Sequence, residues 1–156
     1  MNADFINPFI QGVQSVFTSV ANEAPALGSL FVKAAPYSAM PVTISLSIIG
    51  EITGEVVYTM KEADAFYVAS LMMMGMPVTA LDEMSQSAVS ELGNMISGHV
   101  ATIFYGKGIK IDITPPSFKL NATAADFPNM AKVSKVICIP LKFSAGQVFE
   151  VDIAIV

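Results

Sequence analysis

Glu91 and Asn94 are the residues of this chain whose types and spacing offer chemistry, three apart in the run SELGN. On a helix that spacing places the two side chains at neighbouring positions on one face. An ionised carboxylate only accepts hydrogen bonds, whereas an amide both accepts and donates, so the pair can hold a polar group from two sides. A Glu-x-x-Asn spacing is weak by itself, because short patterns recur by chance. Its surroundings say more. Asparagine is a mediocre helix former, and Gly93 and Gly98 each cost about 1 kcal/mol relative to alanine in a helix interior. Glycine beside the pair leaves room for another backbone or a bulky partner to approach. On the residues alone, a functional face and an ordinary solvated one both stay open.

The element that must carry the pair is a long amphipathic helix over residues 79–106. Thr79 is its expected N-cap, and Asp82 and Glu83 suit its positive end. At 100° per residue, Leu81, Met84, Ala88, Leu92, Met95, Ile96, His99 and Ile103 form one apolar stripe, predicted to face the core. Ser87, Ser90, Glu91, Asn94 and Gly98 take the opposite side. The other chemically able residues read as structure. His99, the single histidine, leaves no His-based zinc site and no base for a serine or cysteine nucleophile, and its place in the stripe predicts a satisfied core or interface histidine. Met72, Met73, Met74 and Met76 are expected to fill core gaps. Cys138, the one cysteine, lies in the apolar run KVICIPLKF as a small buried hydrophobe, and no intramolecular disulfide is possible. Gly106 and Gly108 follow a helix and precede a strand, the reverse of a phosphate loop, and mark a turn.

Around that helix the chain reads as one domain over residues 1–156. A first amphipathic helix runs from Asp4, its expected cap, to about Ala21, with Phe5, Phe9, Val13, Val16, Phe17 and Val20 on its apolar face. A short extended piece, SLFVKAAPY, comes next. Val42, Ile44, Leu46 and Ile48 then alternate with Thr43, Ser45 and Ser47, predicting a half-buried strand, and the turn between Gly50 and Gly54 returns it as a hairpin. A second helix from Lys61, with Ala63, Phe66, Ala69, Leu71 and Met73 on its apolar side, stops at Gly75 and Pro77. Ile109, Ile111 and Ile113 predict a strand ended by prolines, residues 118–130 a mobile loop, and residues 132–143 and 147–156 two last strands. The order predicts an α+β fold, an antiparallel sheet of about five or six strands with helices on one side.

Composition narrows the partners. Only 13% of residues are charged against 53% hydrophobic, so apolar surface must be covered, most simply by a second subunit. A net charge of −5 without a basic cluster excludes a nucleic-acid footprint. The apolar window over residues 65–81 is too short and too broken by Gly75 and Pro77 to span a membrane, and no signal peptide is evident, so a cytoplasmic address is expected.

The run SAVSELGNMISGHVAT, residues 87–102, resembles the CheX-type chemotaxis phosphatases of the CheC/CheX/FliY group, whose Ser/Asp-x-x-x-Glu-x-x-Asn pattern it carries as Ser87, Glu91 and Asn94. Pro115 and Pro116 lie about where that group has a downstream proline. The single copy of the pattern points to the CheX branch, similar in having one site per subunit and pairing as homodimers. The resemblance implies a CheC-like fold and hydrolysis of the aspartyl phosphate on a CheY-type receiver domain. It implies no cofactor of the chain's own, with Mg²⁺ carried by the receiver. Asn94 is then expected to hold the attacking water, Glu91 to pair with a receiver lysine, and Ser87, Ser90 and Gly98 to border the docked partner. The alternative is a CheX-like adaptor that binds a phosphorylated receiver without hydrolysing it.

Overall fold

A computed structural model describes residues 3–156. In chain order the elements are α1 (Ala3–Ala21), β1 (Ala26–Leu27), β2 (Phe31–Ala34), β3 (Val42–Gly50), β4 (Gly54–Met60), α2 (Glu62–Met72), α3 (Glu83–Gly106), β5 (Ile111–Ile113), β6 (Ser117–Leu120), β7 (Lys135–Lys142) and β8 (Val148–Ile155). The strands form one antiparallel sheet ordered β1-β7-β8-β4-β3-β5, with β2 also on β7 and β6 also on β3. The fold class is as expected, but there are eight strands, because each outer rank is made of two short pieces. Pro115 and Pro116 end β5, as expected, but not the rank. They interrupt it between β5 and β6, where missing N–H groups cost least, and the Thr114 hydroxyl accepts from Ser47 N at 2.8 Å to bridge the gap.

One face of the sheet carries the helices. Val42, Ile44, Leu46 and Ile48 of β3, with Val56 and Tyr58 of β4, pack against Phe9, Val13 and Phe17 of α1 and Leu92, Ile96 and Val100 of α3. Each such side chain, fully buried, contributes about 1.5–3 kcal/mol. Helix α1 crosses α3 at Gly12, where a β-carbon would stand 2.7 Å from Val100 Cγ2. Only a bare backbone fits there.

The other face differs from the expectation. Thr43 and Ser45 are buried, so β3 is covered on both sides. Of residues 118–130, read from sequence as a mobile loop, the first three lie in β6 and the rest form the cover. Phe127 and Met130 are each 1% exposed and join Tyr37, Val57, Val136 and Cys138 in a second apolar cluster. Phe127 meets Tyr37 edge to face at 5.3 Å, Asn129 donates to Glu55 at 2.9 Å, and Lys119 pairs with Asp126 at 2.8 Å. Two aromatic and thioether anchors thus outweigh the polar composition of the segment.

Helix α2 begins at Glu62 and buries Ala65, Val68 and Ala69, so Ala63 and Phe66 are not its core residues. Gly75, at φ +84°, ends the turn that follows, its N–H donating to Ser70 O. Of the four methionines assigned to the core, Met72 and Met73 are half-buried while Met74 and Met76 are exposed. They fall in the α2–α3 connection, beyond reach of the sheet. Asp4 lies inside the first turn of α1 instead of capping it.

The seam of α3 is also rotated from the predicted stripe, and Met84 and Met95 lie beside Glu91 on the exposed side, not opposite it. Ser85, Val89, Leu92, Gly93, Ile96, Ser97, Val100 and Phe104 face inward, and Met84, Met95 and His99 are exposed. Hydrophobicity favours Met84 and Met95, but distance decides otherwise. A β-carbon on Gly93 would stand 3.0 Å from Ile44 Cγ2 and 3.3 Å from Tyr58 Cδ2, so the helix lies almost on the strands. Only small residues permit that approach. The Tyr58 hydroxyl, buried in the core, is satisfied by Ser97 Oγ at 2.7 Å.

Beneath the second cluster, Lys33 Nζ pairs with Glu150 at 2.8 Å and Asp152 at 2.9 Å, and the Tyr37 hydroxyl donates to Asp152 at 2.6 Å. One ammonium cannot neutralise two buried carboxylates. Desolvation and the adjoining Asp152 raise Glu150 from 4.5 to about 7. For Lys33, burial acts to lower the pKa, but the two carboxylates outweigh it and raise it overall.

Two predictions follow from this packing. Gly98→Ala, whose β-carbon would meet open space, is expected to stabilise by up to about 1 kcal/mol, whereas Gly93→Val overpacks the seam and destabilises by about 1–3 kcal/mol. Urea midpoints moving the same way for both would contradict the packing. Because the folded state holds the Glu150 proton more tightly than the unfolded chain, this group's stabilising contribution is complete below pH 4.5 and fades as pH rises through 7. Unfolding free energy measured across that window should decline, and Glu150→Gln should flatten the decline; an unchanged slope would show that Glu150 is not the titrating group.

Candidate functional site

Helix α3 starts at Glu83, not Thr79, because the Asp82 carboxylate accepts from Ser85 N at 2.9 Å and supplies both a cap and a charge at the positive helix end. The backbone bond from Ser85 holds the Asp82 pKa below the ordinary carboxylate range. From that start, each residue of the seam directs its neighbours outward. Once Gly93 and Ser97 touch β3 and β4, Glu91, Asn94 and Gly98 have one place to go. All three are exposed, as is Ser87, while Ser90 is half-buried at the margin. The expected face therefore exists, although the glycines beside the pair have different uses. Gly93 admits the protein's own sheet, and Gly98 alone leaves open space.

Glu91 and Asn94 are separated by about 4.5 Å along the helix axis. Among the described residues, neither side chain has a hydrogen-bond or ion-pair partner. An amide and a carboxylate so placed can bind a second molecule's polar groups without first breaking internal bonds. They do not form a nucleophilic centre, since His99 lies about 13 Å along the axis from Ser90. His99 is exposed and so is not a core histidine, and it borders a groove of ≈ 420 Å³ with Met95, Gly98 and Thr102 of α3 and Ser15 and Ser19 of α1.

Cys138, Glu150 and Asp152 bring ligand-type atoms within 4.8 Å of one another, but on the opposite face of the sheet. The Lys33 ammonium already bridges the two carboxylates, and burial with the adjacent Asp152 raises the Cys138 thiol pKa, so it stays protonated. The arrangement is an internal ion cluster. Cys138 is buried, as its sequence context predicts. Among the described residues no helix is long and apolar enough to cross a membrane.

Sequence reasoning missed two positioning residues, Gly93 and Ser97. The signal was present in the row of small residues Ser85, Gly93 and Ser97, at spacings of eight and four, which marks a close helix–sheet approach once glycine and serine are counted as core.

Comparison with known proteins addresses the same elements. Residues 42–142 match the profile of the family described as "Chemotaxis phosphatase CheX", a stretch that holds β3, β4, α2, α3 and β7. The chain is 35% identical over 121 residues to the protein named CheY-P phosphatase CheX of Thermotoga maritima, covering 75% of this chain and 76% of that one. The crystal structure of a CheX–CheY–BeF₃–Mg²⁺ complex from Borrelia burgdorferi is similar at 27% identity and TM-score 0.78, over 99% of both chains. A chemotaxis protein CheX from Desulfovibrio desulfuricans shares the fold at TM-score 0.80 and 23% identity, covering 98% of this chain and 99% of that one. With the Ser87, Glu91 and Asn94 pattern set on its central helix, this chain belongs to the CheX family of chemotaxis phosphatases.

Proposed function

We propose that this protein hydrolyses the aspartyl phosphate of a CheY-type response-regulator receiver domain and so ends a chemotaxis or two-component signal, with Glu91 and Asn94 as its catalytic residues. The observation that carries this reading is the exposed, unpartnered Glu91–Asn94 pair on a helix locked to the sheet. It is supported by the name of the Thermotoga relative, a CheY-P phosphatase, and by the composition of the Borrelia complex, which joins a CheX to a CheY with BeF₃ and Mg²⁺.

The chemistry asks little covalent help of the protein. Water attacks phosphorus, the bond from phosphorus to the aspartate oxygen breaks, and the products are inorganic phosphate and a free carboxylate. Phosphoryl transfer of this kind is accelerated by alignment and charge stabilisation, and the divalent ion belongs to the receiver. The Asn94 carbonyl accepts a hydrogen bond from the attacking water and its N–H donates to a phosphoryl oxygen, which fixes the water in line. Glu91 pairs with a receiver lysine and sets the angle at which α3 enters. Ser87, Ser90 and Gly98 border the contact, and Gly98 keeps the approach free of side chain.

The protein is also proposed to pair as a homodimer. Leu27, Leu30, Phe31 and Val32, all more than 40% exposed, gather at the β1–β2 edge, an apolar sheet edge of the kind that natural proteins cover. A monomer in sedimentation at micromolar concentration would contradict the pairing.

The reaction is tested by following phosphate release from a phosphorylated receiver. The wild-type protein should accelerate release, and Asn94→Ala should lose about 10²- to 10³-fold of that acceleration with affinity retained. Equal rates for wild type and Asn94→Ala would remove Asn94 from the mechanism. A receiver that keeps its phosphoryl group as long with the wild-type protein as without it would make the chain an adaptor.

A further inference from the structure

The outer face of α3 carries more than the catalytic pair. Met84 is 66% exposed and Met95 38% exposed, seven residues before and four residues after Glu91. At 100° per residue both fall within about 40° of Glu91 around the helix. They stand in one line with it, and Met95 also forms the lip of the groove between α1 and α3. Solvated helix faces are ordinarily charged, yet over its 24 residues α3 has Glu83 and Glu91 as its only acidic or basic side chains apart from His99. This face is poor in charge and rich in flexible thioether.

We propose that Met84 and Met95 are the apolar anchors on which the receiver domain seats, setting affinity and choice of receiver while Glu91 and Asn94 set the rate. The inference rests on the phosphatase reading for its partner, but on affinity for its test. An exposed carboxylate and an amide contribute mainly orientation, because each exchanges water for a protein contact of similar strength. Affinity in such an interface comes from apolar side chains at its centre, and methionine conforms to a partner surface at little cost in strain. The lengthwise arrangement matters too. Anchors on both sides of Glu91 resist tilting of α3 against the receiver, whereas a single anchor would leave the helix free to pivot and Asn94 to miss its water. Continuity with the catalytic pair on the same helix face makes the receiver the occupant.

The experiment is titration of the full-length protein with a receiver activated by BeF₃ and Mg²⁺, alongside steady-state phosphate release. The double variant Met84→Gln/Met95→Gln keeps side-chain length and removes apolar character. It should bind at least about tenfold more weakly and raise KM by a similar factor at nearly constant kcat, with an unchanged urea midpoint. Met74→Gln, altering an exposed methionine of the α2–α3 connection, should match the wild type. Wild-type affinity in the double variant would overturn the proposal. So would conversion of a dimer to a monomer with receiver affinity intact, which would assign the face to a second copy of the chain. Tight binding by the wild type without accelerated release would refute the phosphatase reading alone, and the affinities would still decide the role of the methionines.

Discussion

The structure depends on how closely α3 can approach the sheet. At Gly93 a methyl would press on the side chains of Ile44 and Tyr58, at 3.0 and 3.3 Å, and one turn later Ser97 meets the Tyr58 hydroxyl. The apolar contact and the buried hydrogen bond fix the rotation of the helix about its axis. A helix that stood further off could turn to bury Met84 and Met95, and Glu91, within about 40° of both around the axis, would be drawn inward with them. Gly12 of α1 fixes the helix from a second direction through Val100. Held on two sides, α3 has one free face.

That rigidity suits the chemistry. A hydrolysis whose reactive aspartate, metal and phosphoryl group all belong to the partner needs from this chain only placement, and placement is lost if the helix can roll. The remainder of the fold makes the sheet a stiff base. Its back is sealed by Phe127 and Met130 and by the Lys33–Glu150–Asp152 cluster, so the strands beneath α3 are packed on both faces. The chain resembles a plate with one exposed ridge, and the CheX relatives share that fold over nearly their whole length.

Much of this was legible in the sequence. The alternating run from Val42 to Ile48 located β3, turn signals located β4 and the pair β7 and β8, the glycine and proline signals separated the helices, and Ser87, Glu91 and Asn94 fall on the exposed face of α3 as expected. What was not legible followed from contacts between distant segments. Scoring by hydrophobicity put Met84, Met95 and His99 in the core of α3 because it gives no credit to Gly93 or Ser97, whose value lies in being small against Ile44 and Tyr58. Thr79 lost the cap to Asp82, a choice that depends on which carboxylate reaches Ser85. Residues 118–130 looked mobile by composition, yet two buried side chains within them find a pocket formed by Tyr37 and Val57, 70 or more residues away. The strand count was low because β1, β2 and β6 are too short to show a period of their own.

The central claim is that the outer face of α3, at Asn94, meets the activated receiver. The most direct measurement is the side-chain amide signal of Asn94 in ¹H–¹⁵N spectra as a receiver activated with BeF₃ and Mg²⁺ is added. The Asn94 signal, with the backbone signals of Ser87, Glu91 and Gly98, should shift or broaden in step with receiver occupancy, and the β1–β2 edge should stay still. Perturbation confined to that edge, or to the cover over the back of the sheet, with Asn94 unmoved, would contradict the account.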